Sequence, residues 1–160
     1  MSKVTTSKKW LHPPMIKIYE ALGSVADGRV DISGNTAKVY SSTGNKYYDV
    51  TFDSIKKEIM TNDNGSYWKG YLGYPAIAFL MKIGALQYDT KLASLLKDIA
   101  WKDINQKFKN DFDKTLEFIL LSMTDADKKD LTEFVNKTDK EIARLYLGLL
   151  GKKTKPPDGY

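Results

Sequence analysis

The sequence predicts an α+β fold: an N-terminal helix, a small antiparallel β-meander of three to four strands, and a C-terminal bundle of four to five helices. Two observations carry this prediction. Apolar and polar residues alternate between residues 30 and 52, with turn-forming residues between the alternating stretches. From Pro75 onward, apolar residues recur at helical spacing instead.

The first helix is predicted just after Pro13 and Pro14. Apolar residues in Met15–Leu22 recur every three to four positions, and a proline at the first helical turn loses no needed N–H. Gly23 is the expected end of this helix.

The predicted meander alternates between buried and exposed positions. Gly34 and Gly44 lie in the turns that separate its strands and supply the backbone freedom that tight turns need. The expected strands are Val30–Ile32, Ala37–Ser41 and Tyr48–Phe52, with Ile59 and Met60 as a short fourth strand. A sheet this small is stable only if one face is covered.

The segment Pro75–Leu86 is the predicted cover. It is apolar nearly all round, as a buried helix is, and Gly84 is placed to end it early. Further helices are expected after Asp89 or Thr90 and after Thr124. A capping-box pattern at residues 138–141 predicts the start of a last helix, Ile142–Leu150, which ends at Gly151.

The chain is expected to form a single domain over residues 1–151, made of a sheet with its buried helix (29–86) and a helical part (89–151). Residues 1–10 and 152–160 are predicted to be flexible basic tails. These tails account for the whole formal charge of +5, because residues 10–150 contain 19 basic and 19 acidic side chains. Contact of the tails with nucleic acid stays an alternative to a solubilising role.

Composition restricts the function classes. The chain has no cysteine, which excludes disulfides and thiol catalysis. No apolar run reaches the roughly 18 to 20 residues that cross a bilayer, and the polar N-terminus lacks a secretory pattern, so we expect a cytoplasmic protein without a membrane partner. His12 is the only histidine and has no adjacent partner for base catalysis, so we assign it no chemistry.

Residues 39–50, Val-Tyr-Ser-Ser-Thr-Gly-Asn-Lys-Tyr-Tyr-Asp-Val, followed by Gly73-Tyr74-Pro75 and an apolar helix, resemble a SWIM-type zinc finger. In that family, a hairpin of this form leads to a Cys pair, and a Cys-x-His pair opens the following helix. The resemblance covers about residues 29–86. Ala76 and Ala78 stand where the second ligand pair would be, and the first pair would fall near Met60–Asn62.

The resemblance therefore implies a degenerate, metal-free finger without a cofactor. A structural zinc contributes about 10 kcal/mol or more to folding, and a buried large apolar side chain about 1.5 to 3 kcal/mol. The predicted covering helix has six such side chains: Ile77, Phe79, Leu80, Met81, Ile83 and Leu86. We expect apolar packing in place of the metal.

An aromatic, glycine-rich loop at residues 62–74 is the most unusual local cluster. The candidate binding surface comprises Asn62, Asp63, Asn64, Tyr67, Trp68, Lys69 and Tyr71 from this loop, with Tyr40 and Tyr47 from the hairpin. Such aromatic side chains can stack on bases or on a peptide. The simpler interpretation, which we favour, is a turn whose aromatic residues pack the hairpin against the helices.

Three functions follow as alternatives. The first is a non-enzymatic interaction module that binds protein or DNA, the role implied by the SWIM resemblance. The second is a small enzyme with a pocket between sheet and helices, lined by polar groups such as Asp63, Tyr67 and Lys69. The third is a homodimeric structural protein. No common catalytic motif is present, which makes the enzyme the less favoured alternative.

Overall fold

A computed structural model describes residues 8–158 and confirms the α+β class. The described chain contains six α-helices, one π-helical turn and five strands. In chain order these are α1 (Ile16–Ala26), β1 (Val30–Ser33), β2 (Thr36–Tyr40), β3 (Tyr47–Asp53), β4 (Glu58–Thr61), the π-helical turn (Gly65–Lys69), α2 (Tyr74–Lys82), α3 (Thr90–Ser94), α4 (Trp101–Lys107), α5 (Phe112–Leu120), α6 (Asp125–Leu145) and β5 (Gly148–Leu149).

The strands form one sheet in the order β1-β2-β3-β4-β5. The first four strands are an antiparallel meander, in which Val39 pairs with Tyr48 and Val50 pairs with Thr61. The fifth strand pairs in parallel with β4. Val39, Val50 and Ile59 are all fully buried, so one face of the meander is covered as its alternating pattern predicts.

Helix α2 is that cover. The prediction was wrong for Ile83, which lies just after the helix ends at Lys82 and is 42% exposed. All residues from Pro75 to Met81 are buried, and Phe79 meets Phe52 of β3 edge to face with ring centroids 6.1 Å apart. Lys82 at its end donates to the carbonyl of Val30 at 2.7 Å. Gly84 has φ +83° and ends the helix early, as predicted.

Helix α1 packs on α2 and extends further than predicted. It passes Gly23 and ends at Ala26, with Asp27 as its C-cap and Gly28 at φ +71° directly after it. Gly23 serves close packing instead, because a Cβ atom there would lie 3.0 Å from both Trp101 Nε1 and the carbonyl of Leu96. The expectation that Gly23 stops the helix was wrong for this reason.

The predicted capping box at residues 138–141 does not begin a helix. Thr138 is buried in the middle of α6, and its hydroxyl donates to the carbonyl of Phe134 at 3.0 Å instead of capping. The buried positions Leu131, Val135, Thr138 and Ile142 form one stripe at helical spacing, which keeps the helix continuous. The predicted helix Ile142–Leu150 is therefore the end of α6 followed by β5.

The chain leaves α6 through Tyr146, which has φ +44°, and enters β5. The N-terminal segment pairs there as well: Lys9 forms a bridge with Gly148, and Leu149 N–H donates to the carbonyl of Lys8 at 2.7 Å. Trp10 is buried, and its indole N–H donates to Ile59 O at 2.9 Å. Residues 8–10, placed in the basic tail from sequence, thus contact the sheet.

The rest of that tail, residues 1–7, and residues 159–160 of the C-terminal tail lie outside the described part of the chain. Between residues 8 and 158, no helix is both long and apolar enough to cross a bilayer.

Candidate functional site

A cleft of about 710 Å³ opens between α1, the hairpin that joins β2 and β3, the loop after β4, and α4. Its size is in the range of small-molecule sites. Its polar and charged lining residues are Lys17, Glu20, Arg29, Ser41, Ser42, Asp63, Asn64, Lys69, Lys102, Asn105, Gln106 and Asn110; the aromatic ones are Tyr48, Trp68, Tyr71, Tyr74, Trp101 and Phe112.

A buried ion pair on α1 forms the floor of the cleft. Lys17 Nζ lies 3.1 Å from Glu20 Oε2, and the two side chains are only 14% and 4% exposed. The other carboxylate oxygen, Oε1, accepts from Asn105 Nδ2 of α4 at 2.9 Å. This leaves Asn105 Oδ1 buried without a hydrogen-bond partner among the described residues. The floor therefore has a fixed cation and an unsatisfied acceptor.

Lys17 stays protonated in this position. Burial by itself lowers the pKa of Lys17, but the negative charge of Glu20 and its hydrogen bond to the ammonium group favour the protonated form, and the pKa of Lys17 is raised above its usual range. The ammonium group also lies 4.9 Å from the centre of the Phe112 ring. The Lys17 side chain is therefore positively charged at neutral pH and makes a cation–π contact with Phe112.

Asp63 holds the loop that borders the cleft. Its Oδ1 accepts from the hydroxyls of Thr61 at 2.8 Å and Ser66 at 2.7 Å, and its Oδ2 accepts from the N–H of Ser66 at 3.2 Å. The Ser66 hydroxyl in turn accepts from Gly73 N–H at 3.0 Å. Burial raises the pKa of Asp63, against the opposing effect of these hydrogen bonds.

Gly65 permits the close approach of Tyr71. A Cβ atom at Gly65 would lie 2.5 Å from the Tyr71 hydroxyl oxygen. Burial raises the pKa of the Tyr71 phenol, against the opposing effect of the nearby Lys17 ammonium. Tyr71 therefore presents a neutral phenol beside the Lys17 ammonium at neutral pH.

Arg29 supports the opposite wall. Its Nη1 donates to the carbonyl of Tyr40 at 2.7 Å, and its Nε lies 3.2 Å from Asp27 Oδ2. Burial strongly raises the pKa of the Tyr74 phenol, against the opposing charge of the nearby Arg29 guanidinium. Tyr74 meets Tyr48 edge to face, with ring centroids 6.3 Å apart. This wall of the cleft therefore consists of the aromatic rings of Tyr48 and Tyr74 and the guanidinium of Arg29.

Trp68 stands at the rim of the cleft on the π-helical turn. Its side chain is 66% exposed, and it meets Tyr67 at an interplanar angle of 88° with centroids 4.7 Å apart. Lys69 and Lys102 also line the cleft. Four cationic side chains and two acidic ones therefore line the cleft. Lys17 is paired with Glu20, and Arg29 is paired with Asp27.

Residues 10–148 match a protein family described as Uncharacterised conserved protein UCP014422. The chain belongs to this family. The UCP014422 match contains the whole cleft and every helix of the fold. No curated protein and no solved structure matches the chain.

The structure divides the sequence-predicted surface of this UCP014422 member into three groups. Asp63, Asn64, Trp68, Lys69 and Tyr71 line the cleft, and Tyr67 supports Trp68 from beside it. Asn62 is buried, where its Oδ1 accepts from Asp49 N–H at 2.7 Å and so ties the loop to β3.

The third group lies on the hairpin. Tyr40 and Tyr47 are in ring contact at 5.8 Å, and neither lines the cleft. Tyr47 is 42% exposed, and the Lys38 ammonium lies 4.9 Å from its ring centre. The nine residues therefore do not form one continuous surface.

Sequence reasoning missed Lys17, Glu20, Arg29 and Asn105. The first two are charged residues three positions apart on the mostly apolar helix α1. Their spacing predicts an ion pair on that helix, which could have been recognised from the sequence. Arg29 and Asn105 carry no comparable signal, because only the fold brings α4 to α1. Trp101 is buried and also contributes to the cleft wall.

His12 has a partner far away in sequence. Its Nε2 lies 2.6 Å from Asp139 Oδ1 of α6, beside a second, mostly apolar cavity of about 290 Å³. Among residues 8–158, no three His, Asp or Glu side chains are arranged to hold a metal ion.

Proposed function

We propose that this protein binds a small organic anion in the cleft between α1 and α4. The observation that carries the proposal is the convergence of the Lys17 ammonium, the Tyr71 phenol and the unsatisfied Asn105 amide oxygen on the floor of an open cleft. Buried polar atoms in folded proteins are nearly always hydrogen-bonded. A ligand that carries both an anionic group and a donor would complete this set.

Electrostatics favour an anion over a cation. Glu20 is already occupied by Lys17 and Asn105, and Asp63 by three protein donors. Neither carboxylate is therefore offered to a ligand. Lys69 and Lys102 add positive potential around the mouth of the cleft, which attracts anions and raises their association rate.

This proposal develops the alternative of a polar pocket between sheet and helices. Tyr71 and Lys17 could position an anionic group, and both are held in their protonated states, as donors rather than bases.

Isothermal titration of a panel of organic carboxylates and phosphates at low salt tests the proposal. We expect saturable binding that the Lys69→Ala/Lys102→Ala variant weakens at least several-fold and that salt reduces. Lys129→Ala, on an exposed position of α6, is the matched control, because it removes a positive charge outside the cleft. Binding of none of the panel, or equal affinity for the rim and control variants, would refute the proposal.

A second candidate is the interaction module implied by the SWIM resemblance. The exposed Tyr47 ring, with Tyr40 and the Lys38 ammonium against it, favours recognition of a partner by the hairpin. Fluorescence anisotropy with labelled DNA at low salt, comparing the protein with Tyr47→Ala, tests the nucleic-acid version.

The homodimer is a separate alternative. Light scattering after size exclusion tests it by measuring the molar mass of the protein in solution.

A further inference from the structure

We infer that the anion bound in the cleft carries a planar ring, and that this ring stacks on the indole of Trp68. The inference rests on the proposed function, because it names the chemical class of the ligand for the same site. That class is an aromatic or heteroaromatic ring linked to a carboxylate or phosphate.

The first reason is the exposure of Trp68. Its neighbour Tyr67 makes an edge-to-face contact, which covers at most one face of the indole, and 66% of the side chain is open to solvent. Leaving so large an apolar ring in water forgoes the gain of burying it. A planar ligand on the open face would recover part of that gain and add the stacking energy.

The second reason is that Trp68 is held on an anchored segment. Asp63, just before the π-helical turn, anchors its start. Tyr67 N–H donates to Asp63 O at 3.0 Å, and the Ser66 hydroxyl donates to the Asp63 carboxylate. It ends at Gly70, whose φ is +78° and whose N–H donates to Gly65 O at 3.1 Å. Short π-helical segments are rare and occur often at functional sites.

The third reason is the distribution of groups within the cleft. The donors on the floor, Lys17 and Tyr71, suit an anionic group, whereas the rim offers an indole beside Lys69. A cavity of about 710 Å³ is much larger than a bare inorganic anion. A ligand whose anionic group contacts Lys17 and Tyr71 on the floor, and whose ring reaches Trp68 at the mouth, interacts with both regions of the cleft.

Calorimetry with matched pairs of ligands tests the inference. One pair is adenosine 5′-monophosphate and ribose 5-phosphate, which differ by the planar base. The other is 2-naphthoate and its fully saturated counterpart, which keeps the carboxylate and loses planarity. Together the pairs distinguish a phosphate ligand from a carboxylate one. We expect the planar member of at least one pair to bind more tightly.

Variants locate the ring. Trp68→Ala should weaken binding of the planar ligand about 5- to 150-fold, the factor that corresponds to roughly 1 to 3 kcal/mol of stacking, and leave its non-planar counterpart unchanged. Trp68→Phe should retain most of the affinity because it keeps a ring. Ile55→Ala, at a 93% exposed residue that does not line the cleft, is the control.

The outcomes separate the two proposals. Equal binding of planar and non-planar anions, or planar binding that Trp68→Ala does not change, overturns the stacking inference and leaves the anion site standing. Failure of every anion to bind overturns both. Circular dichroism of Trp68→Ala, expected to match that of the unaltered protein, excludes misfolding as the cause of lost affinity.

Discussion

The α-carbon of Gly73 is packed directly against the carboxylate of Asp63, with no room between them for a Cβ atom. Gly73 is the N-cap of α2 and has φ −76°, so its backbone is one that alanine adopts freely. Glycine is therefore needed at residue 73 because there is no space for a side chain, and not because of its backbone conformation. This contact joins the loop that borders the cleft to the helix that covers the sheet.

We predict that Gly73→Ala lowers the free energy of unfolding by about 1 to 3 kcal/mol, the usual cost of overpacking. Urea denaturation measures this effect. The double-mutant cycle with Asp63→Ala identifies its cause, because removal of the carboxylate makes room for the new methyl group. The cost of Gly73→Ala should be clearly smaller in the Asp63→Ala background, and an unchanged cost would contradict the proposed clash.

The ion pair on the cleft floor predicts a second effect. Glu20→Gln should destabilise the protein by about 3 kcal/mol, because it leaves the buried Lys17 ammonium without its main counter-charge. Lys17→Met in the same chain should restore part of the loss, since the uncompensated charge is then gone.

The control for Glu20→Gln is Asp111→Asn. Asp111 forms an exposed 4.0 Å pair with Lys114 and also caps α5, a role that asparagine can keep. This change should cost less than about 0.5 kcal/mol. Comparable losses for Glu20→Gln and Asp111→Asn in denaturant titrations would show that the floor pair is not a strong structural interaction.

The raised pKa of Asp63 predicts a pH effect with a definite sign. The folded protein binds this proton more tightly than the unfolded chain does, so stability from Asp63 is fully present below the unfolded pKa of about 3.9 and is lost as the pH rises through the folded pKa. Asp63→Asn cannot lose a proton. The stability of the unaltered protein relative to Asp63→Asn should therefore fall as the pH rises above about 4.

Urea denaturation of both proteins across this range measures the difference, which cancels the contributions of the other carboxylates. A relative stability that rises with pH would mean that the three hydrogen bonds to Asp63 outweigh its burial.

Chelation gives a further prediction. The side chains of Ile77, Ala78 and Phe79 are at most 1% exposed and lie in the core that joins α2 to the sheet. Folding supported by this apolar contact needs no ion. We expect the same thermal unfolding midpoint with and without EDTA, and unfolding on addition of the chelator would contradict the metal-free interpretation.

The parts of the fold that sequence predicted correctly are those with strong local patterns. The meander follows from alternation and from Gly34 and Gly44, and α2 follows from its continuous apolar run. The caps Asp89 and Thr124 both accept the expected backbone N–H, from Leu92 at 2.9 Å and Asp127 at 3.1 Å. These signals lie within a few residues of each other, which is why they can be read locally.

The errors arose where a local signal competed with packing. Thr138 has a capping pattern, but the apolar stripe of α6 keeps the helix going through it. The strand β5 was missed because two residues, Gly148 and Leu149, have no periodicity of their own and become a strand only by pairing with β4.

Sequence by itself determined the α+β class, the burial of α2 and the unusual aromatic character of residues 62–74, since each depends on neighbours in the chain. Only the tertiary structure decided that this loop, Arg29 and Asn105 meet the Lys17–Glu20 pair in one cleft, and that Trp68 is left exposed at its rim. The physical reason is that burial and electrostatic partnership are properties of surfaces that face each other, and Glu20 and Asn105 are 85 residues apart until the chain folds.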